Sequence, residues 1–359
     1  MKIAIILGTR PEIIKLSPVI VACEELAIDY FILHTNQHYT AEMDQIFFDE
    51  LQLPPADVNL NVGSGTHGYQ TGTMILKIED VLLRRKADVG LVQGDTNTVL
   101  AGSIASSKLK VKTGHVEAGL RSYDRNMPEE INRVVADHVA DYCFVPTPTE
   151  EKILLAEAIS KEKIFVTGNT IVDAVLRARE ITTTDIVEKM GETRKNYIFL
   201  TAHRPENVDN KRQLESLLKG LELVNKHSGM TIIFPIHPRT KKKLNEFNLS
   251  LPKGTRAINP VSYTDSLNLQ SNAKIILTDS GGIQEEACIL GVPCVTLRKN
   301  TERPQTIEVG SNILVGVEPN NILEGYKQMV QKKADWANPF GDGKTGARIV
   351  ELLKSQIER

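Results

Sequence analysis

The sequence predicts an α/β protein built from two doubly wound parallel-sheet domains of similar size. Three observations carry that prediction. Short β-branched runs alternate with longer amphipathic stretches. The alternation pauses in a polar stretch, residues 182–195, and then restarts for a second series about as long as the first. The chain has 359 residues, about two domains' worth, and can bury a large core without disulfides.

Taken in order, residues 3–7, 30–34, 89–93, 111–116, 142–145 and 164–166 read as strands. Stretches 12–26, 72–85 and 98–108 read as helices between them. Near-continuous apolar strands imply burial on both faces, hence a parallel sheet covered by helices. Residues 182–195 hold no strand-like run and suit a surface connection. Beyond them, 197–201, 232–236, 274–278, 294–297 and 313–315 read as strands. Helices are expected near 211–226, 263–270, 283–290 and 321–332. The two series share a pattern but no repeated sequence. The last stretch places Ile349, Val350, Leu352, Leu353 and Ile357 at helical spacing, so it must bury one face. Ligands in such sheets bind beyond the carboxyl ends of the strands, and two such domains facing each other would make a cleft.

Composition narrows the function classes. Lys and Arg number 43 against 45 Asp and Glu, and the longest basic run is Lys241-Lys242-Lys243, so no nucleic-acid partner is expected. The first apolar run is five residues long, too short for a leader or a membrane span. The reading is cytoplasmic, with no membrane partner. Cys23, Cys143, Cys288 and Cys294 form no C-x-x-C pair and read as buried thiols. P-loop, H-E-x-x-H, G-x-S-x-G and G-x-G-x-x-G motifs are absent, and no metal site is indicated.

The chemistry-bearing residues fall at predicted strand ends. Gly8-Thr9-Arg10-Pro11-Glu12 follows the first strand. Thr9 and Glu12 fit a capping box and Pro11 a first helical turn. Arg10 and Lys15 place two cations near that helix start, where anions bind well. Asp95 follows the third strand and fits an N-cap. Glu117 sits between a strand and two small residues, where a carboxylate needs a partner or solvent. Glu129 and Glu130 follow Pro128 at a helix start; one can serve the helix dipole while the other serves the site. Three carboxylate positions near one sheet edge point to proton transfer. In the second series, His203-Arg204 precedes Pro205 at a strand end. Ser280-Gly281-Gly282 then lies between a buried strand and a helix, where backbone N–H groups can meet a phosphate. Glu286 lies six residues on, roughly 9 Å along a helix, a spacing that fits a ribose diol.

Seven segments occur in register: Gly8-Thr9-Arg10-Pro11-Glu12, Gln93-Gly94-Asp95-Thr96, His115-Val116-Glu117-Ala118-Gly119-Leu120-Arg121, Pro128-Glu129-Glu130-Ile131-Asn132-Arg133, Thr201-Ala202-His203-Arg204, Asp279-Ser280-Gly281-Gly282-Ile283-Gln284-Glu285-Glu286 and Thr301-Glu302-Arg303-Pro304. Together the chain resembles the non-hydrolysing UDP-N-acetylglucosamine 2-epimerases over nearly its whole length. The resemblance implies a GT-B fold: Rossmann-like domains at 1–180 and 181–344 around a deep cleft, with 345–359 a helix returning to the first. It implies a homodimer that interconverts UDP-N-acetylglucosamine and UDP-N-acetylmannosamine through a 2-acetamidoglucal, with neither metal nor nicotinamide. By motif match, Asp95, Glu117 and Glu129 become the acid/base set, with His203 near the diphosphate. Arg10, Ser280, Gly281 and Gly282 would hold phosphates, Glu286 the ribose, and Lys15 and Arg303 the nucleotide or diphosphate. An activating second UDP-sugar, as in many bacterial members, would meet Gln37, His38, Gln70, Arg204 and His237. The chain departs from that part of the pattern at Thr40, Tyr69, Pro205 and the run His237-Pro238-Arg239, which leaves activation open. A hydrolysing epimerase and a GT-B glycosyltransferase are the competing readings, and a UDP-sugar sensor is a more distant third. A transferase would need only one principal base, and a sensor would not need all three carboxylates.

Overall fold

The computed structural model describes residues 1–36, 41–182 and 185–357. It forms two compact units, Met1–Arg177 with Phe340–Arg359, and Ala178–Pro339. In the first unit the strands are β1 (Lys2–Leu7), β2 (Asp29–His34), β3 (Val58–Asn59), β4 (Val89–Gln93), β5 (Lys112–Val116), β6 (Tyr142–Val145) and β7 (Ile164–Val166). They lie in the order β3-β2-β1-β4-β5-β6-β7, every pair parallel. The second unit holds β8 (Tyr197–Thr201), β9 (Thr231–Pro235), β10 (Thr255–Ile258), β11 (Ile275–Thr278), β12 (Cys294–Thr296) and β13 (Asn312–Leu314). Their order is β10-β9-β8-β11-β12-β13, again all parallel. Both are doubly wound sheets of Rossmann type.

The apolar strands are explained by two-sided burial. Along β8, Ile198 and Leu200 join one core cluster, while Tyr197 and Phe199 join the cluster on the other face. Ile275 and Leu277 of β11 likewise separate from Ile276. This is the two-residue alternation of a strand with a helical layer on each side. β3 and β10 escape the pattern because they are edge strands: β3 spans two residues, and Arg256 and Ala257 of β10 are exposed.

Residues 182–195 are more than a surface connection. Asp185 caps a helical turn, Ile186–Lys189, and Val187 is buried in the core cluster that holds Tyr197 and Phe199. Ile186 and Met190 pack on the same cluster, so three apolar residues at helical spacing give this polar stretch a buried side.

The helix Thr345–Ile357 packs on the helix Arg10–Glu25 of the first unit. Pro18 lies inside the latter and removes the N–H that would serve the Ile14 carbonyl; the Ser17 hydroxyl donates to that carbonyl instead, at 2.8 Å. A Cβ on Gly346 would come within 2.5 Å of the Pro18 carbonyl oxygen, so the close approach of the two helices requires glycine. All four cysteines are buried and free. Among the described residues no helix is long and apolar enough to cross a membrane.

Candidate functional site

In the first sheet the strand order reverses between β1 and β4, the point where such sheets receive ligands. Gly8-Thr9-Arg10 follows β1, Gly94-Asp95 follows β4, and Glu117 follows the neighbouring β5. Gly8 is fixed by packing, since a Cβ there would run into the paired hydroxyls of Thr35 and Thr98.

Thr9 is the N-cap of the helix Arg10–Glu25, but only half of the capping box forms, the Thr9 N–H donating to Glu12. The Thr9 hydroxyl donates to Glu12 Oε2 at 2.8 Å rather than accepting from the backbone. The Gly8 N–H donates to the same oxygen at 2.9 Å, and the Thr96 hydroxyl donates to Oε1 at 2.7 Å. A buried carboxyl needs these donors, and this draws the Thr9 hydroxyl away from the backbone. Glu12 is 1% exposed, and burial raises its pKa from 4.5 to about 7 against those bonds. Arg10 is exposed, its guanidinium 5.0 Å from the centre of the Phe47 ring.

Glu117 carries a left-handed backbone, φ +67°, although it is not glycine and is buried. Such strain costs about 1–3 kcal/mol and persists where the surroundings over-determine it. Lys15 Nζ donates to Oε1 at 2.5 Å, and the Gln93 amide donates to Oε2. Lys15, read from sequence as a nucleotide anchor, thus has Glu117 as a partner.

Asp95 is not the N-cap. Thr96 is, its hydroxyl accepting from the Val99 N–H, and Asp95 stands one residue earlier. Its side chain is one-third exposed and ion-paired with Arg133. Arg133 also donates to Glu130 at 2.9 Å. Glu130 accepts from the Ser122 N–H, the Ser122 hydroxyl and the Tyr123 N–H at 2.9, 2.9 and 3.0 Å. Burial opposes its charge, but these donors and Arg133 hold its pKa below the ordinary 4.5. Glu130 therefore pins the turn before its helix, Pro128–Val139, whereas Glu129 is exposed to solvent.

In the second sheet the reversal lies between β8 and β11. His203-Arg204 follows β8 and Asp279-Ser280 follows β11. Sequence reasoning did not single out Asp279, which joins the two turns. It is fully buried and accepts from the His203 N–H, the Arg204 N–H and the Asn207 amide at 2.9, 2.9 and 3.1 Å. His203 Nδ1 lies 3.3 Å from its carboxylate, and the His203 ring is 5.3 Å from that of His237. A buried strand-end Asp before Ser-Gly-Gly was the available signal.

Ser280 precedes the helix Gly281–Ile289 without capping it through its side chain. A Cβ on Gly281 or Gly282 would meet no other protein atom closer than 3.7 Å. Neither glycine has a positive φ, so the turn itself does not require them. Their absent side chains leave the helix N–H groups approachable, which favours an anion over a merely tight turn. Glu286 is buried and accepts from Gln270 Nε2 at 2.7 Å. Arg303 pairs with Glu285 at 2.6 Å. Arg298 grips Glu302 with two bonds of 3.0 Å, which outweigh burial and lower the Glu302 pKa to about 2.

Of the residues considered for an activating ligand, Gln37 and His38 lie outside the described residues, as does Thr40. Gln70 is buried, donating to the Gly63 carbonyl and accepting from Asn97, each at 2.8 Å. Arg204 donates its N–H to Asp279, and His237 caps the helix Pro238–Glu246. Among the described residues no three His, Cys, Asp or Glu side chains converge to hold a metal ion.

Residues 22–354 match the family model described as UDP-N-acetylglucosamine 2-epimerase. The UDP-N-acetylglucosamine 2-epimerase of Methanocaldococcus jannaschii is 56% identical over 98% of this chain and 99% of its own length. The crystal structure of the M. jannaschii enzyme with UDP-GlcNAc and UDP superposes with a TM-score of 0.90, covering 99% of this chain and all of the other. The UDP-2,3-diacetamido-2,3-dideoxy-D-glucuronate 2-epimerase of Pseudomonas aeruginosa is 38% identical over 98% of this chain and 99% of its own length.

Proposed function

Because the chain belongs to the UDP-N-acetylglucosamine 2-epimerase family, we propose that it interconverts UDP-N-acetylglucosamine and UDP-N-acetylmannosamine without hydrolysing either, and that it works as a homodimer. A base removes the C2 proton, the C1–O bond breaks with its electron pair leaving on UDP, and a C1=C2 bond forms in 2-acetamidoglucal. UDP oxygen then re-adds to C1 while a proton returns to the opposite face of C2.

The observation that carries this reading is the contrast between Glu117 and Asp95 at one sheet edge. One carboxylate is buried, strained and clamped by Lys15 and Gln93; the other is one-third exposed beside Arg133. Two carboxylates in unlike environments suit removal and return of a proton on opposite faces. Exposed Glu129 is the third acid/base group. In the second unit His203, Ser280, Gly281 and Gly282 meet the diphosphate, where charge develops as UDP leaves, with Glu286 on the ribose and Arg303 beside it.

NMR of UDP-N-acetylglucosamine incubated with the protein in D₂O tests this. Deuterium should appear at C2 of UDP-N-acetylmannosamine. Free N-acetylmannosamine in its place would make the protein a hydrolysing enzyme. One relative is named for a UDP-linked uronic acid, so inertness toward UDP-N-acetylglucosamine would move the proposal to another sugar.

A further inference from the structure

Beneath the turns that carry Asp95 and Glu117 lies an ion cluster whose centre is sealed from solvent, with only Glu157 at its rim partly exposed. The His115 and Asp137 side chains are both 0% exposed. His115 Nδ1 is 2.6 Å from Asp137 Oδ1, and its Nε2 is 2.8 Å from the Gly94 carbonyl oxygen. A carbonyl can only accept, and an ionised carboxylate can only accept. Both ring nitrogens must therefore donate, which makes the ring an imidazolium. Asp137 stays ionised because its other oxygen accepts from Arg121 at 2.7 Å and from the Gly119 N–H at 3.2 Å. Arg121 in turn grips Glu157 with bonds of 2.8 and 2.6 Å. Two cations and two anions thus balance. Cys143, packed against the cluster, donates its thiol to the Asp137 backbone carbonyl, and burial pushes its pKa well up, with Lys163 and Asp141 acting on it from farther out.

We propose that His115, through its bond to the Gly94 carbonyl and its pairing with Asp137, is a positioning residue that sets the geometry of Asp95 and Glu117 for epimerisation. The inference rests on the reading of those two carboxylates as acid/base groups. The cluster touches both turns at their least ordinary points. Gly94, Glu117 and Gly119 all have left-handed φ, +84°, +67° and +84°. His115 holds the first turn by Gly94, and Asp137 holds the second by Gly119. The turns also meet directly, Gly94 N–H donating to the Val116 carbonyl at 3.1 Å. Glu117 Oε2 lies 3.9 Å from where a Cβ of Gly94 would stand. Displacing a reacting group by about 1 Å can cost about 10²-fold in rate. The proton supports the same picture: burial alone would strip it from the ring, but the charge and hydrogen bond of Asp137 prevail and hold the His115 pKa above its ordinary 6.5.

The side-chain amide of Gln reaches about as far as Nε2, and that of Asn about as far as Nδ1. His115→Gln should therefore keep a donor for the Gly94 carbonyl, and His115→Asn should lose it. We expect His115→Asn to lower kcat by at least about 10-fold with KM changed less than about 3-fold, and His115→Gln to restore most of that loss. The double variant His115→Asn/Asp95→Asn should lose clearly less than the sum of the two single losses, because part of what His115 does is done through Asp95. Equal losses for Gln and Asn, or a fully additive double variant, would overturn the proposal. An Asp95→Asn variant that keeps its turnover would instead sink the acid/base reading. If His115→Asn does not fold, ¹⁵N NMR of the wild-type histidines decides: the His115 ring should still show imidazolium shifts at pH 6.5, the ordinary histidine value, and a neutral ring at that pH overturns the proposal.

Discussion

Each domain sets a histidine against a buried aspartate at its site, and the two pairs are built differently. His115 is sealed, both ring nitrogens engaged within 2.8 Å, its aspartate shared with Arg121. His203 is 35% exposed, and Nδ1 lies 3.3 Å from Asp279, which is mainly occupied with the backbone of the His203-Arg204 turn. The first arrangement holds a proton in place and fixes its surroundings. The second fixes a ring's orientation and leaves it where a ligand can reach it. The same two side chains thus yield a fixed ion or a ring open to solvent according to burial and bond count.

The comparison breaks most visibly in stability. Asp137→Asn leaves His115 and Arg121 short of an anion in a dry site, and we expect a loss of about 3–5 kcal/mol in denaturant unfolding. Asp279→Asn keeps its buried shape and should cost clearly less. Equal losses would erase the distinction. In activity the order reverses. His203→Asn should lower turnover by about 10²-fold while unfolding changes by less than about 1 kcal/mol, whereas Glu117→Gln should lower turnover as much and also destabilise, because buried Lys15 loses its anion; a poorly folded His203→Asn protein would count against an exposed, chemical role.

The pH dependence of stability sharpens the contrast. His115 has a raised folded pKa, so its contribution is complete below 6.5 and fades as pH rises through the folded value. Asp137, where burial opposes the charge but His115 and Arg121 prevail, has a lowered one, so its contribution is complete above 3.8 and fades in acid. The sealed pair should stabilise most between these two values. Glu12, raised from 4.5 to about 7, contributes fully below 4.5 and loses that contribution by about pH 7. Glu12→Gln should flatten the decline in unfolding free energy over that interval by up to about 3 kcal/mol. An unchanged slope would show that Glu12 does not titrate there. The smallest effect should fall on binding: Glu286→Ala should weaken UDP about 10-fold by calorimetry, with the helix Gly281–Ile289 intact.

What the sequence disclosed follows from what is local. Residues 89–93, 142–145 and 197–201 emerge as strands because apolar composition and two-sided burial coincide there, and 164–166 by its apolar run alone, since it is an edge strand with Val166 exposed. The edge strand β3 lacks that run. The strand-end positions of Asp95, Glu117, His203 and Ser280 were legible because a doubly wound sheet puts its ligands there. Their partners were not. Lys15 and Glu117 are separated by 102 residues, and Asp279 and His203 by 76, distances that no local pattern bridges. Capping located the helix start at Thr9 but not its side-chain bond, which buried Glu12 draws away, and it misplaced the cap at Asp95, which pairs with Arg133 while Thr96 caps the helix. Glu129 and Glu130 differ only in which side of a helix start they occupy, which composition does not reveal.

The close seat of Gly346 over Pro18 has a consequence for the order in which the protein can be made. The first unit lacks its last helix until residues 178–339 have been translated. At typical synthesis rates of roughly 5–20 residues per second, that is a delay of roughly 8–30 s. During it, the side of the helix Arg10–Glu25 that receives Gly346 has no cover, while the second unit, continuous in sequence, can complete itself. The earlier unit therefore cannot be completed until the later one has been synthesised, and its final helix is the last piece of the chain to be seated.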